Sequence, residues 1–258
     1  MYETYANYIE TFVESNANEW SFKSNPAYCY MLEHVTDRLG FQYLTEISNR
    51  FSELYNNNKQ LLINLCKIND TYGKTIKYNY KGFTECSPTN LRYILHALLI
   101  LTYIKKCNLS DVDVVEIGGG YGGLCFYIFH ISSLFGIKIN SYSIFDLKAP
   151  MKLQKKYLEC LNIDNVNFVD IQNVKGIQTN SFLISNYAFS EISSDFRNAY
   201  TKSVINPFIS HGFLAWNCID VYKFVDGKHI TVEEEYPLTC KKNKYVRFSP
   251  SDTITETL

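Results

Sequence analysis

The sequence predicts an α/β protein: a doubly wound, mostly parallel seven-stranded sheet preceded by an N-terminal helical cap. Three observations lead there. Apolar residues recur at helical spacing before about residue 110, whereas short apolar runs alternate with amphipathic segments after it. Where the texture changes, an apolar strand, Val112 to Ile117, runs into five glycines within the six positions Gly118 to Gly123, and these open a helix. At the far end, two strand-like segments without a clear helix between them flank a Lys-rich turn, the pattern of an antiparallel edge hairpin. Residues 1–110 are thus expected to form the cap or lid, and residues 111–258 the cofactor-binding domain.

Each element has a local reason. Asn25-Pro26 opens a helix by capping and a fixed φ, and Tyr28, Met31, Leu32, Val35 and Leu39 continue it until Gly40. Residues 41–65 read as one or two helices with a break near Asn56-Asn57-Asn58, and residues 70–86 as a loop or short hairpin. Ser87-Pro88-Thr89 starts a long apolar helix to about Lys106. Beyond Val112–Ile117, helices are expected at 121–134, 150–161 and 194–209. Strands are expected at 139–145, 166–169, 182–185, 212–217, 230–236 and 245–248.

Composition removes several classes of function. With 258 residues, 46% apolar, the chain can bury a large core unaided. Its net charge of −1 leaves no basic face for nucleic acid. The most apolar run, Leu91 to Ile104, contains Arg92 and His96 and falls short of the roughly 20 residues of a membrane span. The eight cysteines lie at least 18 residues apart, without zinc-ligand spacing, as expected for reduced thiols of a cytoplasmic protein. With 21 tyrosines in the chain, no single one is a strong signal by itself.

The segment Glu116-Ile117-Gly118-Gly119-Gly120-Tyr121-Gly122-Gly123 carries the most information. Glycines between a strand and a helix permit a tight turn and close approach to a ligand, and the helix N-terminus offers unpaired N–H groups. Gly118, Gly120 and Gly123 also satisfy G-x-G-x-x-G, which admits a nicotinamide-dependent oxidoreductase. Glu116 argues otherwise, because a carboxylate two residues before the first glycine repels a pyrophosphate and suits a cationic amino-acid ligand. Asp146, 23 residues after Gly123 at the end of the second strand, can accept both ribose hydroxyls. Asp170, ending the third strand, could meet an adenine amino group or be a plain surface aspartate.

These residues resemble motif I of class I S-adenosylmethionine-dependent methyltransferases and, more narrowly, the sugar O-methyltransferase family. Ser87-Pro88-Thr89-Asn90-Leu91-Arg92-Tyr93, Phe145-Asp146-Leu147, Leu153 to Leu158 and Ser185-Asn186-Tyr187-Ala188-Phe189-Ser190-Glu191 extend the similarity over residues 25–250. The short link from Asn217 to Ile230 departs from it, leaving little room for a last helix. The resemblance implies S-adenosyl-L-methionine as cofactor, held by Glu116, the loop 118–123, Asp146 with Leu147, Asp170 and Asn186. It places Asn186, Tyr187, Ser190 and Glu191 beside the transferred methyl group. The implied acceptor is a sugar, nucleotide-sugar or glycan hydroxyl. Another small molecule, a protein side chain and a non-catalytic scaffold with a relict pocket remain as alternatives.

An acceptor hydroxyl must lose its proton, so a base is expected. Glu191, just beyond the fourth strand, is the first candidate, and His34 on the N-terminal helix the second. Ser87, Arg92, Tyr187, Ser190 and Asn217 are candidate acceptor contacts. Arg92, a charge within an apolar helix, needs a partner: a carboxylate, or the phosphate of a nucleotide-linked sugar. Glu191 and Asp220 could also contribute oxygens to a divalent metal, which the spacing does not require. A homodimer is compatible with the sequence.

Overall fold

The computed structural model describes residues 2–32, 34–236 and 242–250. In chain order these form α1 (Tyr2–Phe12), α2 (Pro26–Met31), α3 (Asp37–Arg50), α4 (Ser52–Asn69), a small hairpin of β1 (Tyr78–Asn79) and β2 (Glu85–Cys86), and α5 (Pro88–Lys106). Then come β3 (Asp111–Ile117), α6 (Gly123–Ile131), β4 (Lys138–Phe145), α7 (Lys148–Cys160), β5 (Val166–Val169) and β6 (Ser181–Asn186). The chain continues through α8 (Ala188–Glu191), α9 (Ser194–Tyr200), α10 (Asn206–Phe208), β7 (Ile209–Trp216), β8 (Lys228–Glu234) and β9 (Lys244–Pro250).

Two compact units result, each gathered from separate stretches of the chain. One gathers residues 1–99, 120–131 and 148–164; the other gathers 100–119, 132–147 and 165–258. The physical reason is side-chain packing that ignores sequence order. In the first unit α7 joins the N-terminal helices: Lys152 Nζ reaches Glu10 at 2.7 Å, and Lys156 Nζ donates to the Val13 carbonyl at 2.9 Å. In the second, the last turns of α5 join the sheet, where Tyr103 meets Phe182 and Phe213 with ring centroids 6.1 and 6.4 Å apart.

The second unit holds a seven-stranded sheet in the order β5-β4-β3-β6-β7-β9-β8. Strands β3 to β7 pair in parallel, while β9 is antiparallel to both β7 and β8. The doubly wound sheet is thus present, and its predicted closing hairpin inserts β9 between β7 and the edge strand β8. Val115, Leu183, Leu214 and Trp216 belong to its buried core. The link from β7 to β8 contains no helix among the described residues. It lies as an aromatic strap instead, with Phe224 and Val225 buried and the Tyr222 ring 4.7 Å from that of Trp216.

The first unit corrects three expectations. The helix opened by Pro26 stops at Met31, and a new one begins after Thr36, whose hydroxyl accepts the Leu39 N–H at 3.2 Å. Gly40 therefore lies inside α3, where a Cβ would come within 2.8 Å of Pro88 Cβ; the glycine signals close packing rather than a stop. Likewise the break falls at Phe51 rather than at Asn56–Asn58, which continue α4, with the Asn58 amide donating to the Leu54 carbonyl one turn back. In the second unit, the helix expected over 194–209 is divided by a π turn at Thr201–Ile205, just before Pro207, which has no N–H to continue the ladder.

Candidate active site

Strand β3 ends in the glycine loop. Gly118, Gly120 and Gly122 have φ of +79°, +60° and +95°, the left-handed region in which side chains are strained. At Gly118 a Cβ would also collide with the Cβ of Ala188, so α8 packs against the first glycine. The Gly118 N–H donates to the Phe145 carbonyl at 2.9 Å, tying the loop to the end of β4.

Glu116 is 1% exposed on β3. The Tyr142 hydroxyl, from β4, donates to its Oε2 at 2.8 Å. Burial, reinforced by the nearby Asp146 charge and opposed by the Tyr142 bond, moves the carboxyl pKa up to about 8. A buried acid held this way gains from a cation. Asp146 follows β4, half-buried, and its Oδ1 accepts the N–H of the exposed Leu147 at 2.8 Å. Asp170 closes β5 in an Asx turn, accepting the Gln172 N–H at 2.9 Å.

At the end of β6, Asn186 leads into a turn centred on Tyr187, which has φ +66° and ψ −31°. For a bulky aromatic residue this is a genuine backbone outlier. Hydrogen bonds hold it from several sides. Its N–H donates to the Ala215 carbonyl at 2.8 Å, its carbonyl accepts the Ser190 hydroxyl at 2.6 Å, and its own hydroxyl donates to Glu235 Oε1 at 2.5 Å. Glu235 is fully buried. The exposed Glu191 accepts the Asn217 side-chain amide at 2.6 Å, and that amide also lies 3.2 Å from Ser190 Oγ. The structure therefore brings Ser190, Glu191 and Asn217 into one hydrogen-bonded cluster.

The remaining predicted site residues lie in the first unit. The Tyr121 ring is buried under the Lys23 ammonium, 4.3 Å from its centroid, and the Asn69 amide donates to its hydroxyl at 3.0 Å. Gln154 donates to the Gly120 carbonyl at 3.0 Å. At Gly123 a Cβ would approach the Tyr93 ring to 2.6 Å, so the first residue of α6 is glycine for packing. Ser87 is buried and uses its hydroxyl to accept the Thr89 N–H at 3.3 Å, capping α5. Arg92 donates to the Leu32 carbonyl at 3.1 Å, with its guanidinium 5.6 Å from the Tyr93 ring centroid. His34 lies in the connection after α2, not on a helix, and is exposed. Surrounding protein and the Arg92 charge lower its pKa to about 4, an effect that its remaining solvent contact screens.

Two residues that matter to this geometry, Tyr142 and Glu235, are absent from the sequence prediction. Tyr142 pairs with Val114, two residues before Glu116 and on the same sheet face, so the strand register could have exposed it. Glu235 has no local signal, since its meeting with Tyr187 depends on the order of strands. Among the described residues no group of three or more His, Cys, Asp or Glu side chains is placed to hold a metal ion. No helix among them is long and apolar enough to cross a membrane.

No protein-family model matches the chain, and no curated protein matches its sequence. Solved structures that resemble it include magnesium protoporphyrin IX methyltransferase from Synechocystis PCC 6803 with bound SAM, at 14% identity and a TM-score of 0.43, over 62% of this chain and 81% of that one. The CMeT domain of the citrinin polyketide synthase is similar at 10% identity and a TM-score of 0.46, over 64% and 54% of the two chains. Mitomycin 7-O-methyltransferase is similar at 12% identity and a TM-score of 0.40, over 64% and 57%.

Proposed function

We propose that this chain is an S-adenosylmethionine-dependent methyltransferase that acts on a small-molecule hydroxyl, with a sugar, nucleotide-sugar or glycan as acceptor. The observation that carries the reading is Glu116: a buried carboxyl at the foot of a left-handed glycine loop, at the carboxyl end of the central strand. Ligands of doubly wound sheets bind at that end. The sheet order supports the same choice. The dinucleotide-binding order continues with a sixth parallel strand, whereas here the antiparallel β9 follows β7.

In this reading Glu116 faces the ammonium of the methionine moiety, Asp146 accepts from the ribose hydroxyls, and the glycine loop gives close backbone approach. Asn186, Tyr187, Ser190 and Asn217 line the acceptor side. The cofactor supplies a methyl group already activated by a sulfonium, so the protein's tasks are alignment and removal of one proton. Calorimetry tests the cofactor: S-adenosylmethionine or S-adenosylhomocysteine should bind, and NAD should not bind comparably. Tighter NAD binding overturns the reading. Label transfer from methyl-labelled cofactor to a panel of nucleotide sugars tests the acceptor.

A further inference from the structure

We infer that Tyr187 and Glu235 form a proton relay for the acceptor hydroxyl; this rests on the methyltransfer reading and adds a catalytic pair to it. Backbone strain of the kind seen at Tyr187 survives only where the surroundings over-determine it. Here they do so on three sides, through Ala215, Ser190 and Glu235. The turn is also fixed in place, because the next residue, Ala188, abuts Gly118. The strained tyrosine is thereby held one residue from the contact with the glycine loop, while its hydroxyl meets a carboxyl group fully withdrawn from water.

That arrangement suits an alcohol substrate. A phenol both accepts a proton from a neighbouring hydroxyl and donates its own, so it can pass the acceptor proton to a carboxylate that the acceptor does not touch. Glu191, by contrast, is open to solvent and already accepts the Asn217 amide. During transfer the S–CH3 bond breaks with its electron pair left on sulfur, and the O–CH3 bond forms. The acceptor proton passes to Tyr187 Oη as the tyrosine's own proton passes to Glu235 Oε1. Charge balances: the sulfonium loses its positive charge, and the Glu235 carboxylate is neutralised.

The pair can be tested on the full chain before any acceptor is known. The ultraviolet phenolate titration of the parent minus that of Tyr187→Phe isolates Tyr187. Glu235→Gln should lower its midpoint, because it removes a negative charge that disfavours phenolate. S-adenosylhomocysteine affinity should stay within about threefold in Tyr187→Phe. With nucleotide sugars and labelled cofactor, Tyr187→Phe should lower kcat by roughly 10²–10⁴-fold. A Tyr187 titration indifferent to Glu235→Gln, or full turnover by Tyr187→Phe, overturns the relay. If Glu235→Gln does not fold, Tyr187→Phe with intact thermal stability decides on turnover alone. Failure of the parent to bind S-adenosylhomocysteine would instead refute the methyltransfer reading beneath it.

Discussion

Two tyrosine–glutamate pairs stand at the carboxyl ends of neighbouring strands, β3 and β6, and they are built in opposite senses. At β3 the strand carries the acid: Glu116 lies at the foot of the glycine loop, and Tyr142 supports it from β4. At β6 the turn carries the tyrosine, and Glu235 supports it from beyond the edge strand β8. Both carboxyl groups are buried. Which partner is presented at the strand end decides what the pair can serve. A presented acid attracts a cation, whereas a presented phenol exchanges a proton with another hydroxyl. The first pair should therefore govern affinity, and the second turnover.

The strongest way to break that division is at Gly118. Gly118→Val adds a side chain at positive φ and into Ala188, at a combined cost of about 2–5 kcal/mol. S-adenosylhomocysteine binding by calorimetry should weaken roughly 10²–10³-fold. Asp146→Ala should lose one charge-assisted bond, about 1.5–3 kcal/mol, or roughly 10- to 150-fold in the same measurement.

A smaller effect follows from pH. The folded-state pKa of Glu116 is raised to about 8, so the folded protein holds this proton more tightly than the unfolded chain. The contribution of Glu116 to stability is complete at pH below the ordinary carboxyl range and falls as pH rises toward 8. Glu116→Gln should flatten that part of the thermal-denaturation profile. A cationic ligand requires the ionised form, so affinity should rise about fivefold between pH 7 and 8, with proton release. Calorimetry in buffers of different ionisation enthalpy reads both.

The smallest change separates the pairs most cleanly. Tyr142→Phe removes a bond that favours the charged form of Glu116, worth about 0.5–1.5 kcal/mol. Cofactor affinity near pH 7 should fall roughly two- to tenfold, with kcat at saturation unchanged. That is the reverse of the split expected for Tyr187→Phe.

The two pairs also differ in how far the sequence exposes them. The placement of Glu116, Gly118 and Asp146 at strand ends is legible because strand, loop and helix are consecutive in the sequence. The central strands are legible because they carry short apolar runs, such as those of β3 and β6; the edge strand β8, KHITVEE, shows alternation instead. Glu235 is not legible, because its role arises from β9 inserting between β7 and β8, a pairing between distant segments. Helix ends are misread for a related reason. Gly40 and Asn56–Asn58 carry local stop signals, but packing against Pro88 and a back-bonded amide override them.

The division into two interleaved units sets the order in which they can be completed as the chain is made. The first needs residues up to Asp164, whereas the sheet of the second needs β9, which ends at Pro250. The difference is 250 − 164, or 86 residues. At a synthesis rate of about 5–20 residues per second, that is a delay of roughly 4–17 s. Over its last 250 − 216, or 34, residues, about 2–7 s at the same rate, β7 carries an open edge where β9 will later pair, an exposed template for mispairing. Expression at lower synthesis rates lengthens this interval, so the yield of folded protein should depend on the supply of chaperones that shield strand edges.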